Sequence, residues 1–555
     1  MKRRILVFVF LVFNVLCFGN SREVSSDENQ RIENLASLAK IWGFLKYYHP
    51  NVAKGNFNWD EQLVTMIPKV ESAKNREDLS KVYLDWIATL GVVEECKSCK
   101  DVSSKNYFDK NFDLAWADNL AVFTPELSRK LRYIEENRAQ SNSYYVTKSS
   151  RDNVEVRNES KYKDFEYPDK NYRLLSLFKY WNTIEYFFPY KYLTDQKWST
   201  VLEEMIPQFE KANNATEYQL ALLVTVIKLD DTHASLYTDK NFEFFGKKYI
   251  PAFSNVIENK VVIVGIYSDS LAKINDIRKG DIIEEIEGEN ALKIMADRKK
   301  YVNGSNNSTK AKNYNHHLFN GSTDSVKVKI RRDDVVLVKM VKRYKGSDLK
   351  SNLSRTKEKF NLDANNIGYI NLANIEVNDQ DEIMEKLNST KALIIDIRNY
   401  PPLMPYRIAR RLSFENKEYV KCIAPDLKYP GRFIWKKSLV IEPLKKSYYK
   451  GKVVLLVNEE TQSRAEFVTM LLQTGDNVTT IGSQTAAADG DVSRLEFSGF
   501  ETAISGLGVF YPDGTETQRK GVKIDIEVRP TVKGIQEGKD EVLEKAKEYL
   551  VTEKS

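Results

Sequence analysis

Apolar residues in the first part of the chain recur at the spacing of amphipathic helices. From Leu38 to Tyr48 they follow helical spacing, and the pattern stops at Pro50, because proline cannot continue a helix. The whole stretch returns 139 residues later without a gap. The matched pairs are Trp42 and Trp181, Pro50 and Pro189, Trp59 and Trp198, and Pro68 and Pro207. This constant offset predicts a duplicated helical unit.

The two copies part where a histidine enters the second one. Leu90 and Leu229 still correspond, after which the first copy continues GVVEEC and the second DDTHAS. Glu94 therefore stands where the second copy has His233. A histidine needed only for packing would serve either copy, so the asymmetry favours a role specific to His233. The alternative, that an unpaired histidine is structural, stays open at this point.

A strand, helix, strand unit is predicted in the last quarter of the chain. A continuous apolar strand at Val453–Val457, typical of a sheet covered on both faces, precedes an apolar helix that begins near Ser463. A further strand at Val478–Ile481 completes the unit. Ser463 then stands at a helix N-terminus, where unpaired amides suit a nucleophile because they can hold an oxyanion. Glu466 offers the structural alternative, because Ser-x-x-Glu is also a capping box.

Another apolar strand, ALIIDIRNYPP at Ala392–Pro402, ends in polar residues. If this strand lies beside the one that precedes Ser463, their carboxyl ends meet at one crevice and bring Asn399 close to Ser463. An Asp396–Arg398 pair that fixes the loop is an equally good interpretation of the same residues.

The segment MKRRILVFVFLVFNVLCFGN at the N-terminus has the features of a secretory signal peptide. A basic start precedes an apolar run at Ile5–Phe18, which is short for a bilayer span of about 20 residues. We predict cleavage after Gly19; lipid attachment at Cys17 is less favoured, because Leu16 is bulky for lipoprotein processing. No later stretch is predicted to cross a membrane. We therefore expect an exported protein, either periplasmic or secreted.

The charge argues against a nucleic-acid-binding protein, and the cysteine content argues against a four-cysteine zinc site. The formal charge of +6 falls to about +3 without the basic leader, too weak a bias to indicate a nucleic-acid partner. Cys96 and Cys99 have the spacing of a zinc or redox motif, but a four-cysteine site needs a second pair and only Cys422 remains. We expect a small disulfide loop or two thiols without function, and no metal or other cofactor.

The other histidines do not point to a metal site. His49 occupies a turn where the second copy has Phe188, and we expect it in the core. His316 and His317 lie in a polar, asparagine-rich stretch and are expected to face solvent. Scattered histidines offer no cluster of ligands, which makes a metal hydrolase a weak alternative.

Six signals follow one another in the order of a known family. After the DDTHAS histidine come an insert with the KGDII pattern of PDZ-like domains, the IIDIRN strand, SRAE at the helix start, GSQTA, and the closing GVKIDIEVRPT. Each signal is weak alone. Their shared order, from about Glu166 to the C-terminus, resembles the C-terminal processing (tail-specific) proteases and their tricorn-like relatives.

The resemblance implies an exported serine endopeptidase that cleaves unfolded or tail-exposed proteins and peptides, with Ser463 as its nucleophile. Tail-specific proteases pair this serine with a lysine at the position of Ala488, whereas tricorn-like members use a histidine preceded by a small hydroxyl residue, which matches Thr232 and His233. His233 would take the serine proton and return it to the leaving amine, because serine alone is a poor nucleophile.

Two departures from the family pattern concern groups expected around the serine. Tricorn-like enzymes place a catalytic glutamate where this chain has Gln518. Gln518, or Glu516 as the nearest carboxylate, is therefore expected to orient Thr232 or His233.

The second departure concerns the oxyanion hole. Family members end the DxRN strand in glycines that donate an amide, but this chain has Tyr400, Pro401, Pro402 and Leu403, and proline has no N–H. We expect the N–H groups of Leu403 or Arg464 to act instead. Because the loss of one donor lowers turnover by about 10²–10³, a slow or inactive enzyme stays open.

The fold class implied is multidomain α+β, with duplicated N-terminal helical units, a PDZ-like β-rich domain and an α/β peptidase core of the ClpP/crotonase-like kind. The predicted order is a signal peptide (1–19), a first helical unit (20–139), a linker (140–164), a second helical unit that carries His233 (165–248), a PDZ-like domain (249–343), a linker (344–359) and the protease core (360–555). The expected partners are proteins or peptides with accessible C-terminal tails, with no nucleic acid and no stable membrane span; oligomerisation is left open. The alternative function is a catalytically inactive relative that binds peptides or acts as a scaffold of the cell envelope.

Overall fold

The computed structural model describes residues 26–99, 106–162, 165–349 and 358–552. The predicted signal peptide, with Cys17 and Gly19, lies outside them. The first helical unit contains α1 (Ser26–Tyr48), α2 (Pro50–Ala53), α3 (Trp59–Glu71), α4 (Arg76–Ala88), β1 (Tyr107–Phe108) and α5 (Pro125–Glu136). His49 is fully buried, as predicted. Cys96 and Cys99 form a disulfide, which decides between the two alternatives for this pair.

The segment 140–164, predicted from its composition to be a linker, has secondary structure of its own. It contains the hairpin of β2 (Val146–Lys148) and β3 (Val154–Val156). Glu159 in this segment pairs with Lys46 and with Lys179, one lysine from each helical unit. Its polar residues therefore serve in part to bind the two units together.

The second helical unit has helix bounds that match those of the first. It contains α6 (Lys170–Phe187), α7 (Trp198–Lys211), α8 (Ala215–Ile227) and α9 (Asp239–Phe245). In the first unit, the indole N–H groups of Trp42 and Trp59 each donate to the carbonyl of the other residue, at 2.9 and 3.1 Å. Trp181 and Trp198 make the same reciprocal pair, at 2.8 and 3.1 Å. The matched tryptophans thus make matched contacts.

Residues 249–343, called the insert below, surround a hydrophobic core of their own that runs from Ile250 to Val341. The elements here are β4 (Lys248–Tyr249), β5 (Ala252–Ile257), β6 (Lys260–Ile266), α10 (Asp269–Ile274), β7 (Ile282–Ile286), β8 (Glu289–Asn290), α11 (Ala291–Arg298), α12 (Asn307–Asn313), α13 (Asn315–Leu318), β9 (Ser325–Arg332), β10 (Val335–Lys342) and β11 (Tyr344–Lys345). Five strands pair in the order β10-β9-β7-β6-β5, all antiparallel. His317 was expected to face solvent, but its ring packs on Phe245, with centroids 4.5 Å apart. The side chain of His316 lies outside the described part of the structure.

The C-terminal region is built on a mainly parallel sheet. Its elements are β12 (Phe360–Leu362), β13 (Ile367–Asn371), α14 (Asp379–Leu387), β14 (Ala392–Asp396), α15 (Tyr406–Ala409), β15 (Lys417–Pro425), β16 (Phe433–Trp435), β17 (Leu439–Ile441), β18 (Lys452–Val457), α16 (Arg464–Leu472), β19 (Val478–Gly482), β20 (Val492–Phe497), β21 (Phe500–Ser505), β22 (Gly508–Phe510), β23 (Ile526–Glu527), α17 (Val532–Gln536) and α18 (Glu541–Thr552). The strand order is β12-β13-β14-β18-β19-β23, parallel from β13 onward. Strands β14 and β18 are neighbours, so their carboxyl ends meet at one edge of the sheet, as predicted.

A second sheet joins this region to the helical units. Strand β15 pairs with β16, β17 and β22, and β16 pairs with β1 of the first helical unit. Phe433, Phe497 and Phe510 belong to the same hydrophobic core as α1 and α6. Residue 360, the predicted start of the protease core, is the first residue of the antiparallel edge strand β12, and the packing continues across this predicted boundary. No helix of the described residues is long and apolar enough to cross a membrane.

Candidate active site

Ser463 stands at the helix start predicted for it, after strand β18 and directly before α16. Its φ of 56° and ψ of −119° lie in a region that residues other than glycine rarely adopt. Such a backbone conformation costs about 1–3 kcal/mol and persists only where the surrounding contacts enforce it. Here the Ser463 N–H donates to the carbonyl of Ala488 at 3.0 Å and to the carboxylate of Glu466 at 3.1 Å. The serine is therefore held in a strained turn at the positive end of a helix.

Glu466 does more than cap this helix. Its carboxylate also accepts the N–H groups of Ala487 at 2.8 Å and Ala488 at 3.0 Å, and the hydroxyl of Thr485. Burial raises the pKa of Glu466, although these hydrogen bonds oppose the shift. The capping interpretation is thus incomplete, because Glu466 also fixes the segment 485–488 against Ser463.

The imidazole of His233 is oriented by Ser505 and Asp231. His233 Nδ1 lies 2.9 Å from Ser505 Oγ, and the Ser505 hydroxyl donates to Asp231 Oδ1 at 3.1 Å. Because the hydroxyl has one hydrogen and uses it in the hydrogen bond to the carboxylate, its oxygen accepts a hydrogen bond from His233 Nδ1–H. This arrangement leaves Nε2 as the unprotonated nitrogen of the neutral ring, which is the form that a general base requires.

Asp231 is a buried carboxylate that the sequence did not single out. It accepts the N–H groups of Ser505 at 2.7 Å and His233 at 3.1 Å. Burial would raise the pKa of Asp231, but the hydrogen bonds from His233 and Ser505 hold it below its ordinary value. The only hint of this carboxylate in the sequence was the pair of aspartates, Asp230 and Asp231, before Thr232. It did not tell which one faces the imidazole, and the structure shows that Asp230 pairs with Lys310 instead.

Thr232 connects the histidine loop to two other parts of the chain. Its hydroxyl accepts the N–H of Ser305 in the insert at 2.9 Å and donates to the carbonyl of Ala486 at 3.1 Å. The amide of Asn303, also in the insert, donates to the Thr232 carbonyl at 3.0 Å. The insert therefore contacts the residue immediately before His233, which the sequence did not predict.

One short segment lies between the two predicted partners. The carbonyl of Ala486 binds Thr232, next to His233, and the carbonyl of Ala488 binds Ser463. Two residues span at most about 7 Å of chain. The structure thus brings the loop of His233 and the turn of Ser463 to opposite ends of the same dipeptide-length segment.

Gln518 contacts this cluster. It is buried, and its Nε2 lies 3.4 Å from both Asp231 Oδ1 and Ser305 Oγ. A glutamate at this position would set a second carboxylate against Asp231, and like charges so close disfavour ionisation of both. The amide therefore suits a site in which Asp231 already supplies the negative charge.

Glu516 is held elsewhere. Its carboxylate pairs with Lys520 at 2.7 Å and Lys110 at 3.6 Å, and the hydrogen bond from Lys520 is the main cause that lowers its pKa. Alternation along a strand was expected to point Glu516 the same way as Gln518. Residues 518–520 instead form a turn, and none of the described contacts of Glu516 reaches Thr232 or His233.

The loop after β14 lies against the start of α16. The guanidinium of Arg464 donates to the carbonyl of Pro402 at 2.8 Å and lies over the ring of Tyr400, 5.3 Å from its centroid. The backbone N–H groups of Arg464 and Leu403 donate to no acceptor within the described ranges. Both N–H groups predicted to bind the oxyanion are thus without an acceptor among the described residues. The side chain of Arg464 connects the start of α16 to the loop after β14.

Asp396 and Arg398 fix this loop, as the structural interpretation predicted. Arg398 pairs with Asp396 and with Asp540, each at 2.7 Å. The amide of Asn399 turns back to the carbonyl of Asp396 at 3.2 Å and does not contact Ser463. These residues support the turn that carries Tyr400 to Leu403.

Comparison with known proteins finds a family match for part of the C-terminal region. Residues 366–528, which contain Ser463, match the model of peptidase family S41. No curated protein matches the chain. Three solved structures are similar to it. Mature CPAF complexed with lactacystin is 16% identical, with 68% of this chain and 98% of that chain covered and a TM-score of 0.53. Mature CPAF is 15% identical, with coverages of 68% and 96% and a TM-score of 0.53, and the photosystem II D1 C-terminal processing protease is 17% identical, with coverages of 67% and 98% and a TM-score of 0.38. The first two scores indicate a shared fold. Residues 366–528 of this chain are therefore similar to peptidase family S41.

Proposed function

We propose that the protein is an exported serine endopeptidase in which Ser463 is the nucleophile and His233 the general base. The observation that carries the proposal is the chain of hydrogen bonds from Asp231 through Ser505 to His233 Nδ1. It leaves Nε2 ready to accept a proton, and a packing histidine does not need such an arrangement. The segment 486–488 supports the pairing, because it is bonded to the loops of both residues.

The reaction follows from these groups. Ser463 Oγ attacks the carbonyl carbon of the scissile peptide bond while its proton passes to His233 Nε2. The positive charge on the imidazolium is stabilised by Asp231, which is reached through Ser505. His233 then gives the proton to the departing amine, and water hydrolyses the acyl-enzyme in a second round of the same proton transfers.

The tetrahedral oxyanion needs hydrogen-bond donors. The N–H of Arg464 lies directly after Ser463 at the helix N-terminus, where the helix dipole favours negative charge. Leu403 offers a second N–H from the neighbouring loop. Prolines at 401 and 402 exclude donation from those positions, so Leu403 takes the place of the family glycine in this proposal.

The roles proposed for the helical units, the insert and the N-terminal leader rest on the sequence and on the contacts described above. We propose that the helical units are duplicated copies, and that the insert is a PDZ-like domain which receives exposed polypeptide tails by strand addition. The contacts of Ser305 and Asn303 with Thr232 support a link between the insert and the catalytic loop. Export rests on the N-terminal leader in the sequence.

Digestion of an unfolded polypeptide tests this function. The purified protein should cleave a reduced, alkylated protein substrate internally, and the Ser463→Ala variant should lose this activity while its thermal unfolding stays cooperative. A folded wild-type protein that binds the unfolded substrate without cutting it would instead support the inactive, peptide-binding alternative.

A further inference from the structure

A mainly apolar cavity lies beside the proposed catalytic loop. It has a volume of about 320 Å³ and is lined by residues of α8 and α9 of the second helical unit and of the insert. Its apolar wall includes Leu236, Phe242, Phe245 and Tyr301. No Asp, Glu, Lys or Arg is among the described residues that line it. Cavities of this size with an apolar wall and a few polar groups are typical of ligand sites.

Asn241, at the wall of the cavity, has two buried hydrogen-bonding groups that are unused. Its side chain lines the cavity, and the residue is 5% exposed. Neither its Oδ1 nor its Nδ2 has a hydrogen-bond partner among the residues that the structure describes. A buried amide without partners is destabilising, and native proteins rarely retain one without a reason. The missing partner is therefore a group that both donates and accepts.

The backbone amide of a peptide has this chemistry. One N–H and one C=O of a bound residue can pair with Oδ1 and Nδ2 of Asn241. The aromatic and aliphatic wall then suits the side chain of that residue, provided that it is large and uncharged. A charged side chain would lose its hydration in the cavity, and no Asp, Glu, Lys or Arg is among the described lining residues to compensate for that loss.

The cavity is connected to the proposed catalytic loop in two ways. Ser235, Leu236 and Tyr237 line it and begin two residues after His233 in the chain. On the opposite wall, Asn313 donates to the carbonyl of Asn303 at 3.0 Å, and the amide of Asn303 donates to the carbonyl of Thr232. A ligand in the cavity therefore contacts residues that follow His233 in the chain. It also contacts Asn303, which is hydrogen-bonded to Thr232 on the other side of His233.

We propose that this cavity binds a peptide residue with a large, uncharged apolar side chain, and that Asn241 pairs with its backbone amide. The binding itself does not depend on the peptidase chemistry. The assignment of the bound residue to a substrate of the same molecule rests on the proposed function.

Binding is measured by calorimetry with the full-chain Ser463→Ala protein and N-acetyl-L-phenylalanine amide. We expect saturable binding, with at least tenfold weaker binding of the corresponding aspartate amide. The Asn241→Leu and Phe245→Ala variants should bind the phenylalanine amide at least tenfold more weakly. Glu243→Ala is the matched control on the same helix; its side chain is 53% exposed and is not among the described lining residues, so binding should not change.

The ligand series on the unchanged protein keeps the proposal testable if a variant fails to fold. No binding of the phenylalanine amide at 10 mM, or equal binding of the aspartate amide, would overturn the proposal. Unchanged affinity in a folded Asn241→Leu protein would overturn the assignment to this cavity.

A competition assay separates this proposal from the proposed function. In the active protein, the phenylalanine amide should inhibit cleavage of an unfolded polypeptide. Binding without any effect on cleavage would overturn the link to the catalytic loop and leave the peptidase function intact. Binding to a folded protein that cleaves nothing would overturn the peptidase function and leave the cavity assignment intact.

Discussion

At the scale of single residues, the site depends on which groups surround one imidazole. The sequence identified His233 and Ser463, because the first breaks the symmetry of a repeat and the second begins a helix. It did not identify Ser505, which lies 272 residues after His233 and belongs to no motif. Local patterns carry no information on such long-range contacts. The partner of an imidazole is therefore found only once the fold is known.

The first prediction concerns Asp231. In the Asp231→Asn variant, the amide keeps the shape of the carboxylate but not its charge, and it disturbs the hydrogen bonds that fix the tautomer of His233. We expect kcat/KM to fall by up to about 10⁴-fold, as for the aspartate of a serine-histidine-aspartate triad. The measurement is the cleavage rate of an unfolded substrate, normalised to folded protein.

Asp230→Asn is the matched control for this prediction. Asp230 is also buried, but it pairs with Lys310 and Arg519 rather than with the imidazole. It should lose stability more than activity. An equal loss of activity in the two folded variants would mean that Asp231 has no special relation to His233.

At the scale of elements, the turn before α16 stores strain at the nucleophile. The second prediction compares Ser463→Gly with Ser463→Ala. Both remove the hydroxyl, but only glycine adopts a positive φ without a steric penalty. The glycine variant should be more stable than the alanine variant by about 1 kcal/mol in urea unfolding. Equal stabilities would show that the turn is not strained in solution.

The end of α1 provides a prediction on pH. Burial, with a smaller effect of Lys130, lowers the pKa of His49 from 6.5 to about 4. Below pH 6.5 the unfolded chain therefore binds a proton that the folded protein does not. Stability should fall as pH drops from about 6.5 towards 4, by up to about 1.4 kcal/mol per pH unit from this residue.

His49→Phe tests this assignment, because the second helical unit has Phe188 at the corresponding position. Urea unfolding between pH 7.5 and 4.5 should show a smaller loss of stability for the variant than for the wild type. Parallel pH profiles of the two proteins would contradict a neutral, buried His49.

The elements differ in how far the sequence predicts them. Strands β14 and β18 follow from their apolar runs, because all residues of β14 and all but the first of β18 are buried. Helix α1 lies where the spacing predicts a helix, but it is not amphipathic there: from Asn34 to Tyr48 every residue except Lys40 is buried. Strand β1 has only two residues and pairs with β16, more than 300 residues away. Short strands of this kind take their conformation from the partner, and no local pattern marks them.

At the scale of the whole molecule, a buried ionic cluster holds the helical units together. Lys179 pairs with Asp60 at 2.6 Å and with Glu159 at 3.0 Å, and Glu159 also pairs with Lys46. Burial opposes ionisation of Glu159, but the two lysines hold its pKa at about 2. The polar segment 140–164, predicted as a linker, thus contributes Glu159 to the ion pairs between the two helical units. Composition alone could not show this, because it does not tell a solvated charge from a paired one.

The fourth prediction follows from this cluster. Glu159→Gln leaves Lys46 buried without its partner, and removal of one partner of a buried pair costs about 3–5 kcal/mol. The free energy of unfolding should fall by this amount. Glu155→Gln is the matched control, since Glu155 is 45% exposed in the same segment and pairs only with Arg157 among the described residues. Similar stabilities of the two variants would mean that the cluster does not hold the units together.

The central claim is that His233 activates Ser463, and covalent labelling with a fluorophosphonate tests it most directly. The account predicts an adduct on Ser463, located by mass spectrometry, whose rate of formation falls at least a hundredfold in a folded His233→Gln variant. Ser463→Ala should not be labelled. An adduct on another residue, or labelling of Ser463 at the same rate without His233, would contradict the account.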